Sequence, residues 1–266
     1  MVLILALIFL ILISMIPFIF IPLSPWFWFL WTFLGVILGA LLFVLLVLLI
    51  LLILQNSKPK NKFKHMLLRN ACWIWLAFYH INLKVENLDN LPTEDEKYVI
   101  YANHKSNLDP MLIYYGLNRR ISAIGKKTLF NHWFMKLLAK TFNAVPMDRD
   151  NDREAVKAML VAIKKVKEGL PLIIFPEGGI KSRDTEEMVN LRAGAYKLAT
   201  KSEAKIVPIT IIGSSFSSKV KRNKKKNMKL IIHPSISKEE YKDLNTTDLG
   251  HMVENIINKG LHENKA

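Results

Sequence analysis

His104 and Asp109 lie five positions apart in the run Asn103-His104-Lys105-Ser106-Asn107-Leu108-Asp109, and their types suit proton transfer. Neutral imidazole accepts a proton near pH 7. A carboxylate on its other nitrogen fixes the tautomer and stabilises the imidazolium, an arrangement that activates a hydroxyl. On a continuous helix two residues five apart sit roughly 140° apart around the axis, so these side chains meet only across a turn. Residues 99–102 read as a short buried strand, 103–107 as polar turn residues, and 108–116 as a helix with Pro110 near its first turn. That places His104 at the carboxyl end of a strand, where open α/β sheets keep their sites. Two blander readings stand beside this one: each residue caps a turn, or the pair ligates a metal. For the metal, no further His, Cys or carboxylate stands nearby at an i, i+3 or i+4 spacing.

A second constellation is Leu172-Ile-Ile-Phe-Pro-Glu-Gly-Gly, in which a buried strand delivers Glu177, Gly178 and Gly179 into a loop. Glycines there let a ligand approach the backbone amides. Lys181, Ser182 and Arg183 follow at once and offer donors to an oxyanion or phosphate. Val145-Pro-Met-Asp-Arg149 likewise puts a cation just past a strand. Each fragment alone reads equally as a turn or a surface ion pair. Together they give three strand ends supplying a base, a carboxylate with glycines, and cations.

The elements that must position these groups form an α/β pattern from residue 82 onward. Strand-like runs lie at 97–102, 121–124, 144–147, 171–175, 205–212 and 229–233. Helix-like runs lie at 109–117, 129–142, 152–168, 189–200 and 248–260. The 219–229 run, with Lys or Arg at seven of eleven positions, reads as a loop: a solvated face, or a binder of anionic headgroups. Cys72 lies amid Trp73, Ile74 and Trp75 and reads as a small buried thiol. As the one cysteine among 266 residues, it rules out an intrachain disulfide framework and fits a reducing compartment.

Residues 1–57 contain no Asp, Glu, Lys or Arg, so the net charge of +15 belongs wholly to residues 58–266. Apolar runs at 1–21 and 26–54 are each long enough for a ~30 Å hydrocarbon core, which takes ~20 helical residues. Pro22, Ser24 and Pro25 break them, which predicts a transmembrane helical hairpin at 1–57 rather than a cleaved signal peptide. Lys58, Lys60, Lys62, Lys64 and Arg69 come next without an acid, which by the positive-inside rule puts the charged part in the cytoplasm, at the cell membrane. Residues 58–81 read as a basic amphipathic connecting helix, lying on the membrane or under the domain. Residues 82–266 form the α/β domain. The basic excess suits anionic lipid or phosphate. No aromatic-interleaved basic groove or recognition motif points to nucleic acid.

Four motifs together resemble those of the glycerolipid acyltransferase family, in particular the lysophosphatidic acid acyltransferases. They are Asn103-His104 through Asp109, Lys126-Lys127 through Asp148-Arg149, Phe175-Pro176-Glu177-Gly178, and Ile206-Val207-Pro208-Ile209. The resemblance covers residues 80–215. It implies an α/β acyltransferase domain with a central mixed sheet, in which His104 deprotonates a glycerol hydroxyl and Asp109 orients it. The alkoxide then attacks an acyl thioester, from acyl-CoA or acyl carrier protein, with no cofactor, metal or acyl-enzyme. Lys127, Arg149, Glu177, Gly178 and either Lys181 or Arg183 would hold the phosphate end of lysophosphatidic acid, and Pro208 would shape the acyl region. The product would be phosphatidic acid. Glycerol 3-phosphate or another lysophospholipid is the alternative acceptor within the family, and a non-catalytic anionic-lipid-binding membrane protein is the alternative outside it. Departures from the family pattern are Gly179-Ile180-Lys181 where members often have Thr-Arg-Ser, and Trp133, Lys136 and Asn143 where proline and glycine are usual.

Overall fold

Short runs of Ile, Val and Tyr flanked by turn residues form strands whose side chains are shielded on both faces, and here they build one mixed sheet. The computed structural model describes residues 7–9, 11–12, 16, 25–180, 182–189, 191–215 and 224–264. Helix α1 (Pro25–Leu54) and helix α2 (Lys62–Phe78) precede β1 (Ile81–Glu86), β2 (Tyr98–Ala102), α3 (Asp109–Leu117) and β3 (Ser122–Lys126). Then come α4 (Trp133–Thr141), β4 (Val145–Met147), α5 (Asp152–Lys167), β5 (Leu172–Ile174), α6 (Lys197–Ser202), β6 (Lys205–Ile212), β7 (Lys226–Ile232), α7 (Lys238–Tyr241) and α8 (Thr246–Glu263).

The seven strands take the order β1-β7-β6-β2-β5-β3-β4. All neighbouring pairs are parallel except β6 and β7, so β1 and β7 run against the other five. β2 lies at the centre, and every one of its residues is buried. On one face α2 and α3 pack Cys72, Leu76, Leu112, Ile113 and Leu117 against Ile100, Ile173 and Val207. On the other, α5, α6 and α8 pack Ala162, Val166, Leu198, Val253 and Ile257 against Val99, Tyr101 and Ile206. The carboxyl ends of β2, β5 and β4 therefore open on one edge, each leading into one of the chemical fragments.

Several boundaries differ from the sequence reading for physical reasons. β1 is absent from that reading, although Ile81, Leu83 and Val85 alternate with Asn82, Lys84 and Glu86. It is an edge strand with a half-buried pattern, paired only to β7. The basic run expected as a loop is part strand: β7 begins at Lys226, whose ammonium is buried and donates to Tyr79 O. The helix expected at 129–142 divides into a 3-10 turn (Lys127–Phe130) and α4, and that at 189–200 into a 3-10 turn (Ala193–Tyr196) and α6. The connecting helix stops at Phe78, and His80, at φ 53°, turns the chain into β1.

Helix α1 exposes Leu and Ile all along its described length and is long and apolar enough to cross a membrane. Its carboxyl end joins the domain, where Leu51 and Leu54 are buried and Thr141 of α4 donates to Leu51 O at 3.3 Å. Most of the first apolar run, and residues 22–24 of the predicted break, lie outside the described residues; 7–9, 11–12 and 16 are helical.

The α2–α3 contact carries a pH dependence. His65 is buried, its Nδ1 hydrogen-bonds the Tyr114 hydroxyl, and Nε2 lies 3.2 Å from Pro59 O. Burial, then the neighbouring Lys64 and Arg120 charges, push the imidazole down to about 4 against the Pro59 hydrogen bond. A histidine with a depressed folded pKa contributes stability that is present above its unfolded value and lost as pH falls through the folded one. The protein should therefore lose up to about 3 kcal/mol between pH 6.5 and 4 through this group. Unfolding midpoints measured across that window should fall less steeply for His65→Gln than for the parent.

Candidate active site

The turn after β2 brings His104 and Asp109 together as the spacing requires. Pro110 starts α3 in its first turn, and Asp109 sits at the helix's amino end, fully buried. Its Oδ2 receives His104 Nδ1 at 2.9 Å and the backbone N–H groups of Lys105 and Ser106 at 2.7 and 2.8 Å. Turn capping and imidazole orientation, alternatives in the sequence, are thus the same carboxylate doing both. With Nδ1 engaged, the other ring nitrogen, Nε2, is left for a reactant. The His104 side chain is 13% exposed and its ring stacks on Phe175, centroids 4.1 Å apart, so the residue just past β5 fixes the plane of the imidazole.

Asn103, fully buried, anchors this turn to the neighbouring strand. Its amide donates to Ile211 O and Glu186 O, both at 2.9 Å, and its carbonyl accepts from Ile211 N at 2.8 Å. Glu177 supports the same turn from the other side. One carboxylate oxygen accepts His104 N–H at 2.8 Å and the other pairs with Lys105 Nζ at 2.7 Å, with both side chains fully buried. Burial pushes the Glu177 carboxyl up, against the opposing pull of Lys105 and the His104 N–H. Both oxygens are engaged inside the protein, so the geometry makes Glu177 a positioning group for the histidine turn. Arg183 does similar work, its Nε donating to Lys105 O at 3.2 Å.

Beside this turn lies a cationic pocket. Arg149, just after β4, and Arg192 approach each other across Gly178, and Arg192 Nη1 donates to Arg149 O at 3.1 Å. Burial, and then the Arg192 charge, push the Arg149 guanidinium below the usual arginine value. Neither forms an ion pair among the described residues, although Asp152 shares the pocket lining and the Asp150 charge acts on Arg149. Gly178 is required here. It sits at φ +72°, and a Cβ on it would lie 2.5 Å from Arg192 Nε. The two arginines share the lining of a cavity of about 300 Å³ with apolar side chains that include Ile124, Met147, Met159 and Ile174. Its rim carries exposed Val156 of α5.

Of the remaining sequence candidates, Lys127 sits on the 3-10 turn after β3, half exposed, 3.6 Å from Asp148 and 3.9 Å from Glu154. Pro208 lies in mid-strand of β6 opposite Tyr101, buried and away from the cavity lining. Lys181 lies outside the described residues, so of this pair only Arg183 can be placed. Among the described residues no three His, Cys, Asp or Glu side chains gather as a metal site. Arg192 and Lys105 escape the sequence reading. Lys105 lies within the His-Asp run itself, but Arg192 carries no local signal beyond a basic residue before Ala193-Gly194.

A family model described as Acyltransferase matches residues 82–212, which span every one of these groups. The 1-acyl-sn-glycerol-3-phosphate acyltransferase of Bacillus subtilis is 30% identical over 182 residues, covering 68% of this chain and 87% of that protein. A chloroplastic 1-acyl-sn-glycerol-3-phosphate acyltransferase of Arabidopsis thaliana is 29% identical over 158 residues, covering 58% of this chain and 42% of its own length. For the Mycoplasma pneumoniae protein named as a probable 1-acyl-sn-glycerol-3-phosphate acyltransferase, 29% identical, the match covers 61% of this chain and 60% of the relative. The chain thus spans well under two thirds of some relatives and most of others. The crystal structure of the Thermotoga maritima 1-acyl-sn-glycerophosphate acyltransferase superposes with a TM-score of 0.66 at 22% identity, over 82% of this chain and 88% of that one, a likeness of fold. With the family model spanning the histidine turn, both arginine-bearing fragments and the Pro208 strand, and with the Bacillus subtilis relative matched over most of its length, the chain belongs to the acyltransferase family.

Proposed function

We propose that the chain transfers an acyl group from an acyl thioester to the free hydroxyl of 1-acyl-glycerol 3-phosphate, giving phosphatidic acid. The observation that carries this reading is the His104–Asp109 hydrogen bond, made by Nδ1 to a fully buried carboxylate, which leaves Nε2 for the acceptor hydroxyl. His104 Nε2 takes that proton as the hydroxyl oxygen attacks the thioester carbonyl. The tetrahedral intermediate then collapses, the C–S bond breaks, and the leaving thiolate takes the proton from the imidazolium. A thiolate leaves readily, so a general base and charge stabilisation suffice without an acyl-enzyme. The donor is acyl-CoA or acyl-carrier-protein thioester.

The phosphomonoester fits between Arg149 and Arg192, with the Gly178 backbone close by and Lys127 and Arg183 at greater reach; the acyl chain fits the apolar lining of the cavity they share. Glu177 acts through the histidine turn, and Pro208 through the packing of β6 on β2. Residues 1–57 form a membrane hairpin, 58–81 a basic connection and 82–266 the catalytic domain, held on the cytoplasmic face of the cell membrane. Gly39 supports the hairpin, since a Cβ there would lie 2.7 Å from Ile11 Cα, and Lys58 to Lys64 support the orientation.

Assays with several acceptors side by side test the assignment. Arg149→Gln should reduce kcat/KM for lysophosphatidic acid roughly 10- to 100-fold, the range expected for hydrogen bonds to a charged group. The loss should be much smaller for lysophosphatidylcholine, whose phosphodiester carries less charge. Equal losses on both would remove Arg149 from headgroup recognition, and preference of the parent for glycerol 3-phosphate would move the assignment to that acceptor.

A further inference from the structure

A groove between α2 and the carboxyl end of α3 shares no residue with the site above and encloses about 730 Å³. Lys62, Arg69, Arg119 and Arg120 line it against a single carboxylate, Glu94, an excess of three positive charges. Glu94 pairs with Arg119 at 3.6 Å and with Arg120, while Lys62 and Arg69 have no ion pair among the described residues. The Arg119 Nε is buried with no hydrogen-bond partner, and the Arg69 guanidinium lies over the Tyr115 ring, 5.4 Å from its centroid. Such a cluster wants an anion with several oxygens.

Met66 and Trp73 supply apolar lining beside the polar groups of His65, Asn70, Tyr114, Tyr115 and Asn118. Met66 and Trp73 sit on the same face of α2 as Arg69, and the helix exposes Phe63, Trp75 and Phe78 around its outer side. Basic and aromatic residues together on one exposed helix face suit a bilayer surface. Seven residues separate Leu54, the end of the membrane-length helix, from Lys62, so the groove lies at the foot of that helix. A ligand taken from the bilayer would carry both the anionic head and the apolar tail that the lining matches.

We propose that this groove binds an anionic phospholipid, its phosphate on Arg69 and Arg119 and its chains along Met66 and Trp73. Bound lipid bridges α2 to α3, the helix whose other end carries Asp109, nine residues and ~13 Å away. The site therefore ties the membrane-proximal helix to the element that positions His104, and does so without taking part in acyl transfer.

The test is the unfolding midpoint of the full chain in neutral detergent, a readout independent of activity. Added dioctanoyl phosphatidylglycerol should raise it by roughly 4 °C or more at saturation, and dioctanoyl phosphatidylcholine by much less. Arg69→Gln with Arg119→Gln should remove most of the shift. Lys62→Gln with Arg69→Gln, which leaves the Glu94 cluster whole, should weaken it at least tenfold in lipid concentration. Lys201→Gln with Lys242→Gln, the same charge change at exposed positions elsewhere, should leave it intact. An equal response to phosphatidylcholine, a shift that survives in both groove variants, or equal loss in the Lys201/Lys242 control would overturn the proposal. So would a full shift from inorganic phosphate or coenzyme A alone, which would make the groove a phosphate or nucleotide site.

Discussion

Replacing His104 by alanine should lower acyl transfer about 10²- to 10⁴-fold, the contribution expected of a positioned general base, with a far smaller effect on folding. The ring is 13% exposed and makes one side-chain hydrogen bond, to a carboxylate that also holds two backbone N–H groups of the turn. Asp109 therefore keeps partners when the imidazole goes. What is lost is the proton acceptor, so kcat should fall more than KM rises. His104→Gln, which restores polarity at the turn but has no comparable basicity, should not recover the rate. Asp109→Asn should cost both rate and stability, since the same oxygen orients the imidazole and caps the turn.

The second large effect is structural. Lys105→Met should destabilise the protein by about 3–5 kcal/mol, because it strands the Glu177 carboxylate in a fully buried setting with one hydrogen bond left. For a chain of this size that is a fall of roughly 10 °C in the unfolding midpoint, readable in detergent. Glu177→Leu should cost a similar amount by stranding the ammonium. The double substitution should cost clearly less than the sum of the two, since a buried ion pair contributes little net stability even though breaking it is expensive. Activity should not return with stability in the double variant, because the His104 N–H loses its acceptor and the turn is no longer pinned. Additive single effects would contradict the pairing.

Much of this architecture is legible in the sequence where local pattern and tertiary demand agree. Buried strands such as β2 and β6 announce themselves as apolar runs, and Pro110 marks the start of α3. The chemical pair is legible as a candidate because a five-residue spacing lets the two side chains meet only across a turn, while its role among the alternatives comes from the family resemblance. β1 is not, although its six residues alternate cleanly, because the run is short, directly follows a helix, and its one partner β7 lies about 145 residues away. The antiparallel join of β6 to β7, which makes the sheet mixed, is likewise a long-range fact; the expectation of a mixed sheet comes from the family resemblance.

The site shows the same division. Glu177 stands out as a chemical residue from its glycines, yet its work is set by Lys105, 72 positions away in sequence, which the loop after β5 brings within hydrogen-bonding distance. Arg192 is invisible for the same reason. It reaches the pocket through its backbone bond to Pro176 O and through the space Gly178 leaves, neither of which has a sequence signature. Residue types report chemistry; which of them face a substrate and which hold the loop depends on contacts between distant segments.

Acyl transfer itself is measured by incubating the purified full chain in neutral detergent with a radiolabelled acyl-CoA, and in parallel with acyl carrier protein thioester, together with lysophosphatidic acid. Labelled phosphatidic acid should form from at least one donor, with stoichiometric release of free thiol and no label retained on the protein. Absence of labelled phosphatidic acid with both donors, or label bound covalently to the chain, would contradict it.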